Sequence, residues 1–335
     1  MGPREQHDQG ARPQPWRGPS QVSGAVPSPG PDPAARDVSR AHRPFPVGRV
    51  VLWVVVLLVA INAVVVVARN ENFGWPVVAH WFFDPTVMQG LGVTLWLTAV
   101  AMLIGVALGL VLAVMRLSGD RLATGLAGLF IWFFRGTPLL VQLIFWYNLS
   151  TLFPTISIGI PFGPTFASWD TNDLITPITA AIVGLALNEA AYMAEIIRGG
   201  LLSVDKGQAE TAAAFGMTKG RALRRIIIPQ AMRSIVPPTG NQLISMIKAT
   251  SLVSVIAMAD LLYSVQSIYN RTFEIVPMLL VAVVWYLLIT SVLNVGQGYI
   301  ERYYARGVGR SAARRAAVPE PSTAAPSLAI AETRP

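Results

Sequence analysis

The sequence predicts an all-α polytopic membrane protein, with about six transmembrane helices between disordered N- and C-terminal tails. Three observations predict it. Only 13% of the 335 residues are charged and 53% are hydrophobic, whereas a soluble domain averages about 25% charged. The apolar residues gather in runs long enough to cross roughly 30 Å of hydrocarbon. Arginine is dense in alternate loops and sparse in the others, the asymmetry of a multi-span membrane chain.

Residues 1–48 are rich in Pro, Gly, Arg and Ser without apolar periodicity. Such a segment buries too little surface to offset its ordering entropy, so it reads as a disordered tail rather than a cleaved signal peptide. The first span is Val50–Ala68, within a helical segment 49–69. The aromatic stretch Phe73–Phe83 reads as an interfacial belt on the outer face. The second span runs over about Met88–Met115, and its Gly90, Gly92, Gly105 and Gly109 suit close helix packing. The third covers about Ile131–Phe153, with Arg135 near its start. The loop Pro154–Asp173 is expected to be irregular, given its Pro and Gly content. The fourth, fifth and sixth spans are about Leu174–Ala194, Leu243–Tyr263 and Val276–Tyr299. Residues 307–335 read as a second disordered tail, basic near the membrane.

The net charge is +8, with a mean hydropathy of +0.51 and a pI of about 10.2. The excess arginines precede the first span, lie between the second and third and between the fourth and fifth, and follow the sixth. The positive-inside rule therefore places both termini in the cytoplasm. The basic tails lack a folded motif or interleaved aromatics, which argues against a nucleic-acid partner. There are no cysteines, so disulfides, thiolate zinc sites and thiol catalysis are excluded. The histidines, His7, His42 and His80, join no Ser/His/Asp constellation, and no metal-ligand cluster is visible. "GMTKGRA" has the Gly and Lys of a phosphate loop at the wrong spacing. The chain is expected to carry no catalytic residues and no cofactor.

"ETAAAFGMTKGRALRRIIIPQ", Glu210–Gln230, is a basic insert between apolar segments. Asp205 with Gln208 reads as a capping box. It opens a helix over Lys206–Phe215 that Gly216 stops. Thr218 opens a second, amphipathic helix through Ile228, ended by Pro229. Charge on one side and Leu/Ile on the other suit the inner membrane surface.

The spacing of this stretch resembles the EAA signature of permease subunits of bacterial ABC importers, E-A-A-x3-G-x9-I-x-L-P. Glu210, Thr211, Ala212, Gly216, Ile226, Ile228 and Pro229 occupy its places, with Thr211 for Ala and Ile228 for Leu. "FRGTPLLVQL", "LNEAAYMAEIIRGG", "IIIPQAMRSIVPPTGNQ" and "KATSLVSVI" are similar to the branch that takes up polar amino acids. In that branch an Asp often stands where this chain has Ala249. The resemblance covers 87–303, with a coupling loop at about 200–230, and makes the first span an addition to a five-helix importer core. It implies a pore of two permease subunits, identical or paralogous, and an extracytoplasmic binding protein. It also implies two ATPase subunits that carry the ATP and Mg and dock on the coupling loop. Glu210, Ala213, Phe215, Gly216 and Pro229 are the coupling candidates. Arg135, Glu195, Arg198 and Lys248 are expected to form an ion network at the inner gate, because charges in hydrocarbon face protein or water. Gln142, Asn188, Glu189, Tyr192, Thr250 and Ser251 lie near mid-membrane and are candidates for the substrate path. The alternative, an ion-coupled secondary transporter or channel without an ATPase, wants several buried acids at mid-membrane, and Glu189 alone offers one. A membrane-anchored scaffold using the tails ranks last.

Overall fold

The computed structural model describes residues 47–160 and 163–305. The two tails foreseen at 1–48 and 307–335 lie outside the described residues almost entirely. The chain divides after Val64 into two units. The first consists, in its described part, of most of α1, Val47–Arg69. This helix is apolar all round with no buried residue, the composition of a helix whose surroundings are themselves apolar.

The second unit opens with a 3-10 turn at Glu71–Phe73 and α2, Trp75–Trp81. Gly74 takes a left-handed φ of 57° between them. The aromatic stretch packs onto the last helix here: Phe82 stacks on Trp285 with ring centroids 4.7 Å apart, and the Trp285 indole N–H donates to the Phe82 carbonyl at 2.9 Å. Asp84 then caps α3, Pro85–Leu117, by accepting from the Thr86 N–H. Pro at the first helical position suits this start, since its missing N–H has no partner there anyway.

The third span is not one helix. α4, Arg121–Gly136, and α5, Leu139–Tyr147, meet at 102°. Pro138 explains the corner, because it cannot donate to the Phe134 carbonyl and it holds Thr137 extended. α6, Leu149–Leu152, leads to a hairpin of β1, Thr155–Gly159, and β2, Thr165–Asp170, with Ile156 opposite Trp169. The loop expected to be irregular is thus ordered. Its Thr-Ile-Ser-Ile and Phe-Ala-Ser-Trp alternation is a strand signal that its prolines and glycines conceal.

α7, Thr171–Leu174, precedes α8, Pro177–Leu202, the most buried helix of the bundle. α9, Lys206–Ala214, and α10, Lys219–Ala222, follow. A π turn at Leu223–Ile227 then runs into α11, Ile228–Ala249, and on into a 3-10 segment, Thr250–Ile256. Pro229 therefore does not end a helix: it sits in the first turn of α11, where a missing N–H is tolerated and the wide π turn absorbs the mismatch. α12, Leu261–Thr272, is set at 45° to the segment before it, and α13, Ile275–Ala305, completes the described chain. Among the described residues four helices are long and apolar enough to cross a membrane, and six spans result if each bent pair is one.

Among the described residues three apolar clusters hold the bundle, the smallest formed by Ala113, Met193 and Ile197. Of the other two, one joins Leu97 of α3, Leu143 of α5, Leu185 of α8 and Val253. The other gathers Val87, Leu261, Val265, Ile268, Met278 and Val281. Lipid is as apolar as leucine, so close fit rather than escape from water drives this packing. Glycines set the closest approaches: a Cβ on Gly105 stands 2.7 Å from the Glu189 Cγ, and one on Gly109 stands 2.6 Å from the Met193 Cβ. Gly90 meets Ser264 in the same way, while Gly92 faces open space.

Candidate functional site

The α9–α10 loop is built from caps. The Asp205 carboxylate accepts from the Gly207 N–H, and Gln208 does not return the bond of a capping box. Its side-chain oxygen instead accepts from the Gln230 amide at 3.4 Å, tying α9 to α11. α9 ends where Gly216 turns to φ 74°, with Met217 N–H donating to the Ala212 carbonyl. This is the Schellman pattern. Ala212 and Ala222 are buried on the inner side of the two helices. Glu210, Ala213, Phe215, Gly216 and Pro229 are all exposed. Phe215 is 83% exposed at the tip of the turn.

Two groups of predicted polar residues have other partners. Gln142 donates its amide to the Phe134 carbonyl (3.1 Å), the Thr137 carbonyl (3.1 Å) and the Thr137 hydroxyl (2.7 Å). Asn188 donates to the same Phe134 carbonyl at 2.9 Å and to the Gln142 oxygen at 3.3 Å. Together they supply the donors that Pro138 withholds from the corner of the third span. Thr250 and Ser251 spend their hydroxyls on the Ile247 and Lys248 carbonyls.

The foreseen four-member ion network assembles only in part. The Arg198 guanidinium donates to Glu195 at 2.7 and 3.0 Å. Arg135 lies over the Tyr192 ring, 5.2 Å from its centroid, a cation–π contact. Lys248 forms no ion pair among the described residues and is exposed on α11. Arg116, not singled out in the sequence, brings a buried Nε without a partner to the end of α3.

Glu189 is buried within α8 and accepts from the Gln242 amide of α11 at 3.2 and 3.4 Å. Near it, α11 carries an outward polar stripe: Ser234, Asn241, Ser245 and Lys248 are all exposed. These recur at near-heptad spacing in the middle of an apolar bundle, and only water or protein satisfies such a face. Asn241, Gln242 and Ser245 escaped sequence reading because the Pro237–Pro238 pair interrupts the helical pattern. Asp260 escaped too. It is fully buried, caps α12 through the Tyr263 N–H at 2.9 Å and accepts from the Tyr286 hydroxyl at 3.3 Å. No group of three or more metal-ligating side chains occurs among the described residues.

The model for "Binding-protein-dependent transport system inner membrane component" matches residues 105–306. The arginine transport system permease protein ArgU of Corynebacterium glutamicum is 45% identical over 268 residues, covering 78% of this chain and 83% of that protein. The glutamine transport system permease protein GlnP of Escherichia coli is 36% identical over 224 residues, 67% of this chain and 94% of that one. Among solved structures, a chain of an amino acid ABC transporter with histidines is 37% identical, with a TM-score of 0.56. It aligns over 65% of this chain and 94% of its own length. A chain of the methionine transporter MetNI, at 18% identity and TM-score 0.52, shares the fold.

Proposed function

This chain belongs to the binding-protein-dependent transport system inner membrane component family as a permease subunit of an ABC importer, and on that premise we propose that it carries a polar amino acid. It is a multi-pass inner-membrane protein, not itself an enzyme, and its family works with a separate ATPase and a substrate-binding protein. The 45% identity to an arginine permease makes arginine the first solute to test. The reading extends to two ATPase subunits that supply ATP and Mg, a second permease subunit, and both termini in the cytoplasm.

The observation that carries the coupling mechanism is the exposed Phe215 on its Gly216 turn. In this mechanism Glu210, Ala213, Phe215 and Gly216 seat in the ATPase. Pro229 fixes the return into α11, so that movement of the ATPase swings the α11 stripe and alternates access. Lys248, with Asn241 and Ser245 on the same face, lines the path, and Glu189 is held beside it through Gln242. The open space around Gly216 makes the expected penalty conformational, since a β-branched residue strains the left-handed geometry.

The test is co-purification and uptake. Gly216→Val should lose ATPase association while the permease stays at wild-type level in the membrane. Proteoliposomes holding the whole complex should take up labelled arginine only with ATP and the binding protein. Uptake driven by an ion gradient alone would favour the secondary-transporter reading.

A further inference from the structure

A slot of about 770 Å3 opens between α3, α8 and α11. Val106 and Val114 of α3 face Ile197 and Leu201 of α8 and Met232 and Ile235 of α11 across it. Thr239 is the sole polar side chain in its walls, and that hydroxyl is already donated to the Ile235 carbonyl at 2.8 Å. A polar ligand finds nothing here to replace its water. The slot follows α3 from Ala99 to Val114, about 22 Å at 1.5 Å per residue. Its apolar walls and its length suit a chain of methylene groups.

The position agrees with that occupant. The slot occupies the half of α3 nearer the α9–α10 loop, over a length comparable to one leaflet of about 15 Å plus some overlap. Leu223 and Ile228 close that end. The π turn between them carries Arg224 and Arg225, both exposed and without an ion pair among the described residues. Basic residues at a membrane surface attract anionic headgroups.

We propose that this slot binds one acyl chain of an anionic phospholipid of the cytoplasmic leaflet, with Arg224 and Arg225 holding its phosphate. The proposal rests on the cytoplasmic placement of the α9–α10 loop. It puts a lipid against the π turn that links the coupling loop to α11.

The test uses the complete permease–ATPase complex in detergent, supplied with phosphatidylglycerol or phosphatidylcholine and read by native mass spectrometry. One phosphatidylglycerol per permease should be retained, with a preference over phosphatidylcholine of about fivefold per arginine. The preference should vanish in the Arg224→Gln/Arg225→Gln double variant. Val106→Trp should abolish retention by filling the slot. If that variant fails to assemble, Val106→Cys is used, since the chain has no other cysteine, and modification with a hexyl thiosulfonate should displace the lipid. Undiminished retention after filling would overturn the proposal. Equal retention of the two lipids would do the same, as would a disulfide joining two permease copies in the Val106→Cys variant. ATPase co-purification is scored in the same preparations, so a failure of the coupling reading is seen separately.

Discussion

Single residues here are worth most where a backbone group depends on them. Gln142 and Asn188 stand in for the N–H that Pro138 lacks. Gln142→Leu removes both amide donors from the Phe134 and Thr137 acceptors and should destabilise the bundle by about 1 kcal/mol, the scale of a polar contact within a membrane. The loss is measurable as a lower unfolding midpoint in mixed micelles. At the inner edge, Glu195→Gln weakens a contact made through two guanidinium bonds. Transport should fall or ATP hydrolysis should continue without it; unchanged values for both would remove Glu195 from the gate. Gly105 admits no side chain, since its Cβ meets Glu189 at 2.7 Å. Gly105→Val should push α3 from α8 and reduce the folded yield, while Gly92→Ala, facing open space, should not.

The elements differ in how much of them the sequence exposes. α1, α3 and α13 are long apolar runs, and length alone identifies them. The broken spans are harder. Pro138 is visible, yet the carbonyl it leaves open is met by Asn188, 50 residues away in the chain, which no local pattern reports. The two helices around Gly216 are legible because capping residues and a left-handed glycine are local signals. The π turn at Leu223–Ile227 is not, because no residue type marks a π turn as a cap or a left-handed glycine marks a helix end. The residues proposed for the inner gate stand out by charge. Charge shows that a partner is needed, and only packing decides whether it is Glu195, Tyr192 or solvent. A double-mutant cycle tests the corner: Pro138→Ala restores a donor to the Phe134 carbonyl. Gln142→Leu should therefore cost less in that background than alone, by several tenths of a kcal/mol or more. Additive losses would show that Gln142 serves another group.

On the scale of the molecule, one face of the bundle is unlike the rest. α3 and α13 turn Leu103, Leu110, Val283 and Leu287 outward, side chains suited to lipid. α11 turns Asn241, Ser245 and Lys248 outward. Single cysteines distinguish the two faces in a chain that has none of its own. Ser245→Cys should react with a membrane-impermeant maleimide at a rate that changes when ATP is supplied to the complex. Leu103→Cys should stay unreactive throughout. Equal reactivity at both positions would mean that the stripe faces lipid or a closed subunit contact.

The tract from Lys219 to Ile256 passes from a π turn through an α-helix to a 3-10 helix. It resembles a spring wound loosely at one end and tightly at the other. A π turn holds more residues per turn than an α turn, and a 3-10 turn holds fewer. Passing one residue of winding from the loose end to the tight end spins the middle by about 100°, with little change in overall length. A pull on the loop would then be felt at the far end as torsion, which turns a polar face without tearing the packing around it.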